Sequence, residues 1–370
     1  MEHPAPLPAK GSYPWQVLSY IMRNGPRSRK VLAEQLQVTA ATLTHATTAL
    51  IQAGMLREAG VADERRVGRK QVLLDLAPGY RYALGLDVAN TYLRVTLLDM
   101  GLRLVDSRVW RYETLTEEVL EQALRHGAAL AETHAGRVLG VGLLAQGFVD
   151  QDRCSSLPIQ DLKERVARRI PLPITLMNNI RGLAIAQSFF DSARENFLLM
   201  HYGPGVCAVA VSGGRILPGA HNRAGEIGHT LWDPDSGQTC RVCGRKGCLE
   251  SLIHFDAVAR RADPAWAGRH LEADELLQVC RADGGEALGG ALDQLASATA
   301  LLASAVDPEE LLLSGQLFTH PEIYRGFVGR LAARGCPLPS ERIGILEGYA
   351  DKRVISAGLV VFDGLFGGRV

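Results

Sequence analysis

Apolar residues recur along this chain with two different periods, and the change from one to the other divides it. In "PWQVLSYIMRNG" (14–25) Trp15, Leu18, Ile21 and Met22 fall on one helical face, and Asn24-Gly25 supplies a stop. "SRKVLAEQL" (28–36) opens on Ser28, a good N-cap, and turns Val31, Leu32 and Leu36 inward. "TAATLTHATTALIQAG" (39–54) opens on Thr39 and stripes Leu43, Ala46, Leu50 and Ala53 before Gly54 ends it. The short gap between the second and third helices is the spacing of a helix-turn-helix. In "MLREAGVADERRVGRKQVLLDL" (55–76) apolar residues alternate at both ends of a basic, turn-rich centre, which predicts a two-stranded wing. Pro78-Gly79 closes this head.

From Tyr82 the pattern changes. "YALGLDVANTYLRVTLLDMGLRLV" reads as two apolar strands and a turn, and "VLGVGLLA", "NFLLMHYG", "VCAVAVSGG" and "ELLLSG" follow as further strands. Helical patterns alternate with them at about 116–134, 181–191, 254–262 and 288–305, so the expected body is α/β and large enough for two lobes. With 47% hydrophobic residues in 370, the chain can fill more than one core. No apolar run approaches eighteen residues, so no membrane partner is expected. "MEHPAPLPAKGSYPW" has prolines where an export signal has its apolar segment, and the seven cysteines are odd in number. A cytoplasmic, reducing setting is therefore expected.

Net charge is zero, but residues 1–80 hold ten Lys/Arg against six Asp/Glu. A basic head on an acidic body points to nucleic acid at one end. Arg65, Arg66, Arg69 and Lys70 would sit at the wing tip, suited to phosphates or the minor groove. Thr39, Thr42, Thr44, His45 and Thr48 lie on the outer side of the third helix, where they can meet phosphates or base edges. That helix has no Arg or Lys, so Arg27, Arg29 and Lys30 are expected to supply attraction together with the wing. A helical module for protein contact is the alternative.

Five segments carry a resemblance to a known family: "GAHNRAGEIGH" (219–229), "CGRKGCLE" (243–250), "LGLDVANT" (84–91), "LMNNIRGLA" (176–184) and "PEELLLSGQL" (308–317). The chain resembles the repressor, open reading frame and kinase (ROK) family over its whole length. The resemblance implies an α/β protein with an N-terminal winged helix-turn-helix followed by a two-lobed, actin-like sugar kinase fold. Residues 1–78 would be the DNA-binding domain. Residues 79–195, completed by a C-terminal helix at about 353–370, would be the N-terminal lobe, and 196–352 the C-terminal lobe with a zinc site. The head places the chain with regulators such as the xylose and N-acetylglucosamine repressors.

Cys240, Cys243 and Cys248 follow Cys-x2-Cys-x4-Cys spacing, with His229 upstream as the expected fourth ligand. Thiolates and neutral imidazole suit tetrahedral Zn²⁺, and four protein ligands leave no open position, so the metal is expected to be structural. Gly244 and Gly247 allow the loop to turn sharply, and Arg241, Arg245 and Lys246 are near enough in sequence to offset the site's formal −1. Many family members have one residue between the first two cysteines; here there are two. Free buried cysteines with a hydrogen-bonded histidine are the alternative.

The resemblance also implies sugar contacts from Glu226, His229 and Glu250. Family kinases carry an Asn-Asp pair whose Asp takes the proton of the attacking hydroxyl. Asn178-Asn179 stands here, and an amide is no base. Asn178 and Asn179 remain expected sugar contacts. The phosphate loop reads "DVANT", keeping Asp87 and Thr91 but putting Ala89 and Asn90 at glycine positions. The second loop reads "GPGVCAV", with Pro204, Cys207 and Ala208, and the adenosine-side loop has Ser314 for a glycine. Such loops work through exposed amides and missing side chains, so phosphoryl transfer is expected to be lost.

The expected protein is not an enzyme but a sugar-responsive regulator, most simply a repressor, of carbohydrate-metabolism genes. A sugar or sugar phosphate bound between the lobes would alter the spacing of paired heads on double-stranded operator DNA in a homodimer or dimer of dimers. Two rivals stand beside it: an ATP-dependent sugar kinase with an accessory head, and a regulator controlled by a protein partner.

Overall fold

A computed structural model describes residues 4–61, 71–147, 149–150, 153–154, 157, 159, 161–191, 193–266 and 271–367. Arg65, Arg66, Arg69 and Lys70 fall outside the described residues. The chain divides into two compact units: Met1–Gln146 with Asp152–Ser192 and Ala350–Val370, and Gly147–Gln151 with Ala193–Tyr349.

The head opens the first unit with α1 (Tyr13–Asn24), α2 (Arg29–Gln35) and α3 (Ala40–Gln52). Each starts on a hydroxyl that accepts from the backbone N–H three residues on: Ser12 from Trp15, Ser28 from Val31 and Thr39 from Thr42. Such caps satisfy a donor that the helix itself cannot. The stripes read from the sequence are inward: Leu18, Ile21, Leu32, Leu43 and Leu50 are buried. The sheet has three strands rather than two, in the order β1 (Arg27–Ser28), β3 (Val72–Leu76), β2 (Leu56–Val61). Arg27 and Ser28 pair antiparallel with Leu74 and Leu73 just before α2, a two-residue strand too short to show any alternation.

The rest of the first unit is a five-stranded sheet carried by β4 (Tyr82–Val88), β5 (Tyr92–Asp99), β6 (Leu104–Arg111), β7 (Val138–Ala145) and β8 (Ile174–Asn178). Their order is β8-β7-β4-β5-β6, antiparallel through β4, β5 and β6 and parallel from β4 to β7 and β8. Three helices belong with it: α4 (Glu117–Thr133), α5 (Leu162–Arg169) and α6 (Asn179–Phe190).

The second unit holds β9 (Phe197–Tyr202), β10 (Val206–Ser212) and β11 (Arg215–Ile216). It continues through α7 (Leu249–Ile253), α8 (Phe255–Ala262), α9 (Ala273–Cys280) and α10 (Glu286–Val306) to β12 (Glu310–Ser314), α11 (Pro321–Ala333) and β13 (Ile343–Ile345). Its sheet runs β11-β10-β9-β12-β13, with β9, β12 and β13 parallel.

The last helix, α12 (Tyr349–Phe362), lies from residue 350 on in the first unit and runs into a π-helical turn, Asp363–Gly367. It packs directly on the first sheet. A Cβ added to Gly142 would sit 1.6 Å from the Ala357 carbonyl oxygen, so the glycine in "VLGVGLLA" is what lets helix and strand touch. One apolar cluster joins Leu18, Ile21 and Met22 of the head to Phe189, Leu359, Phe362 and Phe366.

Candidate functional site

The segment from Gly225 to Glu250 is held together by its own backbone. A short 3₁₀ turn, Ile227–His229, presents His229, and the following loop folds back through antiparallel bridges pairing Leu231 with Cys248 and Thr239 with Lys246. The cysteine loop closes on two hydrogen bonds: Cys240 N–H donates to Arg245 O at 2.8 Å, and Gly244 N–H to Cys240 O at 3.0 Å. Gly247 has φ +74°, and a Cβ there would lie 2.0 Å from Asp233 O. Only glycine meets both demands.

These turns bring the ligand atoms of His229, Cys240, Cys243 and Cys248 within 4.8 Å of one another, a set that could hold a metal ion. Cys240 Sγ is 3.6 Å from His229 Nδ1, and Cys243 Sγ is 3.4 Å from Cys248 Sγ. Burial, aided by Arg245, lowers the His229 pKa and keeps the imidazole in its neutral, ligating form. Burial opposes ionisation of Cys243, yet hydrogen bonds from Arg245, Cys248 and Cys240 outweigh it and draw the thiol to about 7. Burial, with the neighbouring Cys243, pushes Cys248 up to about 12. Three thiols so crowded share charge poorly without a cation.

Of the three cationic side chains expected near this charge, the structure turns one, Arg241, elsewhere. Arg245 serves the cluster, donating to His229 O at 2.7 Å. Arg241 instead turns to Asp256, a buried carboxylate, at 2.7 Å. Arg241, between the first two cysteines, thus anchors their loop to α8.

Glu226, His229 and Glu250 belong to this same neighbourhood. His229 N–H donates to Glu226 O at 3.1 Å. Glu250, the second residue of α7, accepts from Val206 N–H at 3.1 Å through Oε2. Burial pushes its pKa up to about 7, the Val206 N–H holds it back in part, and the Glu226 charge adds to the rise. Two carboxylates and an imidazole gathered around the cysteine loop form a set of hydroxyl acceptors and donors.

Asn178 and Asn179 lie in the first unit at the passage from β8 to α6, and both are buried. Asn178 caps α6, its Oδ1 accepting from Ile180 N–H at 2.8 Å. Asn179 occupies the first helical position.

The loops resembling phosphate loops are filled by the chain itself. Asp87 Oδ2 accepts from Tyr92 O–H at 2.6 Å and lies 3.9 Å from Arg353 Nε. Asn90 N–H donates to Gln146 Oε1 at 3.0 Å, and Gly203 N–H to Gly205 O at 3.0 Å. Ser314 Oγ bonds His201 Nδ1 at 3.0 Å. Two backbone amides of these loops, those of Asn90 and Gly203, are thus engaged within the chain. Tyr92, Gln146, His201 and Arg353 were not marked by the sequence. Gln146 at the end of β7 carried no motif, and the Arg353 contact comes from the far end of the chain.

In the head, Thr39, Thr44, His45 and Thr48 are exposed and Thr42 is half-buried. Thr39 and Thr42 are hydrogen-bonded to each other, their hydroxyl oxygens 2.9 Å apart. Lys30 is exposed, while Arg27 bonds Pro26 O. Arg29 turns back to Thr47 at 3.2 Å and Glu58 at 3.8 Å. No described helix is long and apolar enough to cross a membrane.

This sheet pair with its His/Cys loop defines a class, and comparison bears it out. The ROK family profile matches residues 83–340, and the chain belongs to that family. The DNA-binding transcriptional dual regulator NagC of Escherichia coli (strain K12) is 25% identical over 327 residues, covering 81% of this chain and 79% of NagC. A glucokinase of Halalkalibacterium halodurans is 28% identical over 268 residues, covering 64% of this chain and 80% of the kinase. Among solved structures, a ROK family transcriptional regulator described as a homologue of the E. coli MLC protein superposes with a TM-score of 0.72 at 22% identity, covering 96% of both chains. The relatives include regulators and kinases; NagC matches over more of this chain than the glucokinase does, and the MLC homologue, at 96% of the chain, reaches into the head.

Proposed function

We propose that this protein is a sugar-responsive transcriptional repressor of carbohydrate-metabolism genes that no longer transfers phosphate. One observation carries the reading: Asn179 starts α6 where the family's kinases need a carboxylate base, and the neighbouring loop's Asn90 amide is already bonded to Gln146. A body that recognises sugar without reacting, joined to a helical head with a basic balance, suits a sensor.

Glu226, His229 and Glu250, together with Asn178 and Asn179, are the residues proposed to hold the sugar or sugar phosphate. The proposed metal is a structural Zn²⁺ on His229, Cys240, Cys243 and Cys248. Zn–S bonds of about 2.3 Å in a tetrahedron put sulfurs roughly 3.8 Å apart, near the spacings found here. When bound, the ion would neutralise thiolate charge and fix the His229 ring through Nδ1, leaving Nε2 to face a ligand. The head is proposed to act as a winged helix-turn-helix on duplex DNA, with α3 in the major groove. The working form would be a cytoplasmic homodimer or dimer of dimers, so that two heads reach two half-sites.

The test pairs two measurements on the full chain. Melting temperature is followed with a panel of sugars and sugar phosphates at millimolar concentration, and ATP-dependent phosphorylation of the same panel is assayed. Stabilisation by at least one compound without phosphorylation supports the reading. Turnover that Glu226→Gln abolishes would establish a kinase instead, and a panel with no stabilising member would favour a protein partner.

A further inference from the structure

Two helices run to the head, α12 from beside the motif loop at 87–91 and α6 from Asn178 and Asn179. At its start α12 carries Arg353, whose guanidinium lies 5.2 Å over the Tyr92 ring and 3.9 Å from Asp87 Oδ2. At its end the π-helical turn offers two carbonyls to α1. Trp15 Nε1–H donates to Leu365 O at 3.0 Å, while Ser19 O–H and Arg23 Nη2–H donate to Phe366 O at 2.8 Å and 3.0 Å. The Trp15 ring also stacks on Phe366 at 6.3 Å.

A second path runs beside it. Asn178 and Asn179 open α6, and Phe189 near its end lies under the Arg23 guanidinium at 6.0 Å. Lys352 Nζ donates to Gln187 Oε1 at 2.7 Å, tying the two helices together. Both therefore begin among loop or ligand residues and end on α1.

We infer that α12, braced against α6 through Lys352 and Gln187, acts as a strut that passes the state of the Asp87–Tyr92–Arg353 clasp to the head. This rests on the regulator reading for its biological sense, but not for its physics. A helix is stiff along its axis, and from Arg353 to Phe366 it spans about 20 Å. The clasp is able to change state because it is incompletely satisfied. Asp87 is 2% exposed, and its Oδ1 has no hydrogen-bond partner among the described residues. A buried acceptor of that kind favours any arrangement that brings it a donor, such as a ligand hydroxyl. Taking Asp87 away from Tyr92 and Arg353 would release the start of α12, and the carbonyls at its far end would shift under Trp15, Ser19 and Arg23.

Hydrogen exchange on the full chain, without sugar or DNA, tests this. The wild type is compared with Tyr92→Phe, Arg353→Gln and Ser19→Ala. In the first two, amide exchange in α1 is expected to rise about tenfold, while β9 in the second unit exchanges as before. Ser19→Ala should raise α1 exchange directly. The inference is overturned if α1 keeps its wild-type rate in Tyr92→Phe and Arg353→Gln, if exchange rises equally throughout the chain, or if Ser19→Ala leaves α1 unchanged. Since no ligand enters the measurement, it stands or falls apart from the sugar panel above.

Discussion

The His/Cys loop and the 87–91 loop resemble parts of the same family pattern, and they have met opposite fates. Around His229 every donor that the pattern needs is present and converges within 4.8 Å. Around Asp87 the acidic residue is kept, but Tyr92 and Arg353 hold its carboxylate and Gln146 holds the neighbouring Asn90 amide. Recognition of a sugar depends on a few side chains held rigidly. Phosphate transfer depends on space and on unoccupied amides, which ordinary side chains can fill one at a time. A protein can therefore keep the first while losing the second.

The largest effect is expected at the metal loop. Replacing Cys248 with Ser should remove one thiolate from a four-ligand set, leave the other thiols crowded, and cost about 3 kcal/mol or more of stability. Metal analysis should fall from one Zn²⁺ per chain to none, with a lower melting temperature. A Cys248→Ser protein that retains metal, or a wild type that never contained it, would falsify the structural-zinc reading.

A smaller effect is expected at Glu250. Its Oε2 is bound to Val206 N–H, so Gln can keep that contact while giving up charge. Glu250→Gln should weaken sugar binding by about 1.5–3 kcal/mol, roughly ten- to a hundredfold, with little change in melting temperature. Titration calorimetry with the most stabilising sugar measures it. Undiminished affinity would remove Glu250 from the site.

How far the sequence reached follows from how local each signal is. The three head helices were legible because each combines a 3.6-residue apolar stripe with a hydroxyl cap and, after α1 and α3, a glycine stop. The metal loop was legible because its ligands lie within a short stretch of chain. Strand β6 was not foreseen as a separate strand: at the sheet edge, Leu104, Val105 and Val109 are exposed, so neither face alternates cleanly. Arg241 was taken for a counter-charge because sequence proximity cannot show that Asp256 lies within its reach. The Asp87–Arg353 contact joins opposite ends of the chain, and no local pattern announces it.

The smallest effect is expected where only the missing base is restored. Asn179→Asp puts a carboxylate at the first position of α6, where the helix N-terminus favours a negative charge, so the variant should fold. If the base were the only thing missing, phosphorylation of a stabilising hexose would appear. Here the Asn90 amide would remain bonded to Gln146, the Gly203 amide to Gly205, and Asp87 to Tyr92. The expected turnover is therefore indistinguishable from the wild-type background, and the triple variant Asn179→Asp, Gln146→Ala, Tyr92→Phe should come closer to binding nucleotide than Asn179→Asp alone. Radiolabel transfer from ATP resolves the two cases. Measurable turnover in Asn179→Asp by itself would mean that the engaged loop amides are no barrier, and that Asn179 alone separates this protein from its kinase relatives.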